Sequence, residues 1–109
     1  MAYLYLAIAI VFEVAGTVTL KATEGFSKII PSLIVIFCYI VSIYLVSLTI
    51  KTIPVGIAYA IWTSTGLLFV VLISAVAYRQ IPDTPAILGM TFIIIGVSII
   101  QIYSKMINN

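Results

Sequence analysis

The chain has 109 residues, of which 64% are hydrophobic and 7% charged, with a formal net charge of +2 and a mean hydropathy of +1.35. Soluble domains carry about 25% charged residues, so the composition excludes a water-soluble globular fold and points to a membrane. A single cysteine, Cys38, and the lack of histidine exclude an intrachain disulfide and an ordinary structural zinc site, and the scattered basic residues make no nucleic-acid footprint.

The charged residues Glu13, Lys21, Glu24, Lys28, Lys51, Arg79, Asp83 and Lys105 divide the chain into four apolar runs, each near the roughly 20 residues a membrane-crossing helix needs. Helices are expected at 2–20, 30–50, 54–77 and 85–103, as one four-helix transmembrane domain over 1–109. The first run has no basic segment before it and carries an acid, so it reads as a retained helix rather than a cleaved signal. Pro31, Pro54 and Pro85 stand where helices would begin, a position that tolerates the missing N–H. Thr84 is the expected N-cap of the last helix.

In the first helix, "LAIAIVFEVAGTVTL" holds one acid, Glu13. It sits about 3 Å from the helix centre at 1.5 Å rise per residue, where a charge costs on the order of 3 kcal/mol and usually marks an ion or proton pathway. The alternative is a protonated side chain hydrogen-bonded to a neighbouring helix. A carboxyl that can be either protonated or anionic can exchange a proton for a cation. Ala9, Gly16 and Thr17 share its face; Gly16 serves either helix packing or a cavity beside the acid.

In the second helix Tyr39 and Ser42 are three residues apart, with Tyr39 in reach to donate to Glu13. The third contains "GIAYAIW", in which Tyr59 and Trp62 share a face that continues to Gly66. Aromatic faces bind organic cations, and ordinary packing is the plainer reading of the same pair. The fourth helix has Gly89 and Gly96 in a stripe with Ile93 and Val97, a helix-packing signal that marks either a dimer seam or an intrachain contact.

With four helices, both ends of the chain lie on one side. Lys51 and Lys105 are then on that side, and Lys21, Lys28 and Arg79 on the other. So small a bias suggests insertion in both orientations, unless one charge suffices to orient the chain. The chain shows no internal repeat. A second chain of opposite orientation would supply the inverted symmetry on which many transporters are built. Phosphate-loop, nucleophile-elbow and metal-cluster motifs are missing. The chain therefore reads as no enzyme and as needing no cofactor, and uphill transport would draw on an ion gradient.

"FEVAGTVTLKATEGFSKIIPS" followed by "GIAYAIW" closely resembles the small multidrug resistance family of bacterial four-helix exporters, over essentially the whole chain. The resemblance implies an all-α antiparallel homodimer in the bacterial cytoplasmic membrane that exchanges protons for hydrophobic or quaternary-ammonium cations. Glu13 matches the family's shared glutamate, Tyr59 and Trp62 its helix-3 aromatics, Tyr39 and Ser42 its helix-2 pair, and Gly89 and Gly96 its dimer-interface stripe. "EVAGT" resembles the drug-type branch; guanidinium exporters tend to carry a tryptophan shortly after the glutamate. Many drug-type members have G-x-G in helix 3, which the family uses as a kink. Here the segment reads Trp62-Thr63-Ser64-Thr65-Gly66, so Gly66 is the remaining hinge glycine. The alternatives are a guanidinium or small-cation exporter, a small cation-conducting pore, and an accessory subunit of a larger partner.

Overall fold

The computed structural model describes residues 1–103, in which four helices are long and apolar enough to cross a membrane: α1 (Ala2–Thr19), α2 (Ile29–Thr49), α3 (Val55–Ala77) and α4 (Thr84–Tyr103). Lys105, part of the charge comparison above, lies outside the described residues.

α1 tightens at its end into one 3₁₀ turn, Leu20–Thr23, and the backbone then turns left-handed at Glu24 (φ 47°), Gly25 (φ 74°) and Phe26 (φ 63°). Of these only Gly25 takes that conformation without a steric cost. Thr23, just 1% exposed, holds the turn together. Its hydroxyl donates to the Leu20 carbonyl at 2.7 Å and accepts the Phe26 N–H at 3.1 Å, while its carbonyl accepts the Ser27 and Lys28 N–H groups at 3.0 and 3.1 Å.

α2 begins two residues before Pro31, which therefore sits in the first turn but not at its start. The position is tolerated because N–H groups of the first turn have no intrahelical acceptor. Pro54 is the N-cap of α3, and its carbonyl accepts the Ala58 N–H at 3.0 Å. At α4 the capping residue differs from the expected Thr84, which is helical. Asp83 caps instead: its carboxylate accepts the Ala86 N–H at 3.0 Å and its carbonyl the Ile87 N–H at 3.1 Å. A carboxylate suits that end because it also meets the positive pole of the helix dipole.

α1 lies against both α2 and α3, and α4 packs on α3. Leu6, Ile10 and Val14 of α1 form the buried core, with Val46 of α2 and Ile61, Trp62 and Val70 of α3 packed against it. Lipid tails are as apolar as these side chains, so helices associate through close packing and interhelical hydrogen bonds rather than by escaping water. The fully buried Ala9, Ser42 and Ala58 fit that rule by allowing near approach of backbones. α4 has no buried residue.

Candidate functional site

Glu13 projects from α1 into the angle between α2 and α3. Its Oε1 accepts the Thr17 hydroxyl at 2.9 Å, one helical turn on, and Thr17 Oγ1 lies 2.6 Å from the Tyr39 hydroxyl on α2. A threonine has one hydroxyl proton to give. With that proton directed to the carboxylate, Tyr39 must donate to Thr17, which makes a relay Tyr39 to Thr17 to Glu13. The expected Tyr39 contact with Glu13 is thus indirect, because the threonine occupies the space between them.

Gly16 explains how Tyr39 reaches this position. A Cβ at Gly16 would stand 2.9 Å from Tyr39 Cε1 and 3.3 Å from Cys38 Cβ, so its bare backbone lets the phenol ring lie against α1. Of its two readings, the packing one describes this geometry. Gly66 plays the matching part on α3: a Cβ there would fall 2.8 Å from Glu13 Oε2. One carboxylate oxygen is held by the relay, and the other faces a helix stripped of its side chain.

Ala9 and Ser42 lie one turn from the acid and are 0% exposed. The Ser42 hydroxyl donates to the Ala9 carbonyl at 2.7 Å, joining α1 to α2. Interhelical hydrogen bonds in membranes average about 0.6 kcal/mol and reach about 1.7. Ser42→Ala should therefore lower stability by about 1 kcal/mol, read as an earlier midpoint of detergent unfolding, and leave the ranking of transported substrates unchanged. A changed ranking at unchanged stability would instead place the hydroxyl against bound substrate.

Tyr59 and Trp62 stack edge to face, with ring centroids 5.8 Å apart and planes at 67°. Tyr59 is 59% exposed, whereas Trp62 packs on the Leu6, Ile10 and Val14 cluster of α1, and among the described residues its buried indole N–H has no acceptor. Such an orphaned donor costs about 1–3 kcal/mol. Ser64 bonds back to the Ala60 carbonyl and Thr63 to the Tyr59 carbonyl, as hydroxyls inside helices do when they favour a bend.

Gly89, Gly96, Ile93 and Val97 are on α4, away from this cluster. Among the described residues nothing lies within 4 Å of a Cβ placed at either glycine, so the stripe makes no contact with them at those positions. The sequence reading placed Thr17 beside the acid but missed its hydrogen-bonding part; Glu and Thr four residues apart in a helix was the available signal.

Among the described residues no lysine or arginine pairs with Glu13; the one ion pair, Lys28 with Glu24 at 3.7 Å, is exposed at the loop. The fold and site together define a multi-pass helical membrane protein with a lone acid seated within its helix bundle. The chain belongs to the small multidrug resistance family, whose model, described as Small Multidrug Resistance protein, matches residues 1–93. It is 46% identical over 103 residues to the multidrug transporter PA4990 of Pseudomonas aeruginosa, covering 94% of each chain. It is likewise 45% identical to the multidrug transporter EmrE of Escherichia coli K12 and 42% identical to the quaternary ammonium compound-resistance protein QacE of Escherichia coli, each over 94% of both chains.

Proposed function

We propose that the chain is a proton-coupled antiporter that exports hydrophobic or quaternary-ammonium cations across the bacterial cytoplasmic membrane, working as an antiparallel homodimer of single four-helix domains. The observation that carries this reading is Glu13: a carboxylate inside the bundle with two polar neighbours in a relay and, among the described residues, no cationic side chain paired to it. An unpaired ionised carboxylate in low dielectric is costly, so the site demands a visitor. A proton and an organic cation each satisfy it, and one must leave before the other binds. Thr17 and Tyr39 keep the carboxylate aimed in both states, because a hydroxyl pair can reverse the direction of its hydrogen bonds.

Tyr59 and Trp62 offer aromatic surface to an organic cation, an attraction worth about 2 kcal/mol or more once water is excluded. The names of EmrE and QacE support that substrate class. The bare face of α4 at Gly89 and Gly96 supports a second copy, in which small residues admit close backbone approach. Gly66 serves as the hinge of α3 and also leaves room for the acid.

Trp62 is the single tryptophan, so its fluorescence reports on the site directly. Titration with a quaternary ammonium compound over a range of pH should show apparent affinity falling as pH drops, by about tenfold per unit for each proton displaced. Affinity independent of pH would overturn the exchange.

A further inference from the structure

A second surface lies on the far side of α1. Val11 and Ala15 are each two residues from Glu13, hence on another face of the helix, and with Ala7 and Val18 they line a groove of about 620 Å³ whose other wall includes Phe69 and Ile73 of α3. From Ala7 to Val18 the groove runs about 17 Å at 1.5 Å per residue. That is close to half of the roughly 30 Å hydrocarbon layer, the length of one acyl chain, and the groove reaches from Val18 to about 5 Å past the centre of α1.

The groove ends in positive charge. The Tyr78 hydroxyl donates to the Val18 carbonyl at 2.7 Å, which fixes the phenol ring at the groove's end, and the Lys21 ammonium rests 4.9 Å from the centre of that ring. Arg79 follows at once, in a left-handed turn at φ 57°. Both cations are exposed, and among the described residues neither is in an ion pair, whereas Lys28 has Glu24. A slot of one-leaflet length that finishes at two unpaired cations matches the shape and charge of a lipid bearing an anionic headgroup.

We propose that the α1–α3 groove with Lys21 and Arg79 is a binding site for an anionic phospholipid, its acyl chain along the groove and its phosphate at the two cations. A zwitterionic lipid fills the slot equally well but carries its own cation to the basic end. A soluble anion meets the charges and leaves the slot unused. Tyr78 is a positioning residue here: its ring holds the Lys21 ammonium at the groove's end instead of leaving it free in solvent. The site is independent of the transport reading, since it shares no residue with the Glu13 relay.

Trp62 provides the test because it packs on Ile10 and Val14, both of which also line the groove. The full chain is reconstituted in vesicles of equimolar phosphatidylcholine and phosphatidylglycerol, with bromine on the acyl chains of one lipid or the other. Brominated phosphatidylglycerol should quench the tryptophan more strongly, with a preference of about fivefold for each cation. Lys21→Gln with Arg79→Gln should erase the preference while helical circular dichroism is unchanged, as expected for exposed positions at helix ends. Independently, Ala15→Phe, which fills the slot, should reduce quenching by brominated phosphatidylglycerol to the phosphatidylcholine level. Equal quenching by both lipids in the unaltered protein would overturn the proposal, as would a preference that survives either set of substitutions. Quenching by neither lipid would mean that protein, such as a second copy, covers the groove, and would overturn it too.

Discussion

Glu13→Gln should reduce pH-driven uptake of a quaternary ammonium compound into vesicles to the rate of protein-free vesicles, with the protein still folded. Glutamine has nearly the shape of glutamate and retains a carbonyl oxygen to accept the Thr17 hydroxyl, so the relay and the packing of α1 on α2 and α3 can persist. What disappears is ionisation. A neutral amide neither draws a cation nor releases a proton, and each half of the exchange fails for the same reason. Stability should change by no more than about 1 kcal/mol, the scale of one hydrogen bond in a membrane. The sign should favour the variant, because it removes the cost of an acid at that depth. The check is uptake driven by a pH gradient, measured beside detergent unfolding of the same preparations. Uptake retained at a substantial rate would exclude Glu13 as the coupling group.

The second large effect is expected at Gly66. Gly66→Ala adds only a methyl group, yet that carbon would stand 2.8 Å from Glu13 Oε2, well inside the separation of about 3.5 Å at which non-bonded carbon contacts become comfortable. The carboxylate must withdraw, and with it the alignment to Thr17. Transport should fall by about tenfold to a hundredfold, the range a misplacement near 1 Å can produce. A shorter acid separates this cause from a lost hinge. In a Glu13→Asp background the carboxylate is drawn back by one methylene, so Gly66→Ala should cost several-fold less there than in the native background. Ser64→Gly, which restores a flexible glycine nearby without moving the acid, should not rescue Gly66→Ala. Rescue by Ser64→Gly and none by Glu13→Asp would make bending of α3 the main role of Gly66.

The two glycines show how far sequence reasoning reaches. Gly16 and Gly66 both lie near functional positions in apolar helices, and as letters they permit the same readings: close packing, a cavity or a bend. Their neighbours tell them apart. At Gly16 the missing side chain is replaced by the Tyr39 ring, and at Gly66 by the Glu13 carboxylate. Thr17 is similar. Its spacing from Glu13 was legible, but the link onward to Tyr39 joins residues 22 apart in the chain, and nothing local in either helix specifies it. Ser42 looked like a companion of Tyr39 by its three-residue spacing, and its proton goes instead to the Ala9 carbonyl.

By itself the sequence determined the four spans, their approximate ends and the presence of one acid among apolar side chains. Those features are local: in lipid each backbone N–H and C=O must find its partner within its own helix, so a run of apolar residues settles its structure without reference to the others. Tertiary structure alone decided which groups meet the two oxygens of Glu13, which glycine serves the acid and which the tyrosine, and that Asp83 rather than Thr84 caps α4. Hydrogen bonds of 2.6 and 2.7 Å between α1 and α2, and the fit of the Glu13 carboxylate against Gly66 of α3, depend on how each helix is rotated and how closely it approaches. In a bilayer, where apolar burial scarcely discriminates among faces, that depends on the fit of all the helices together.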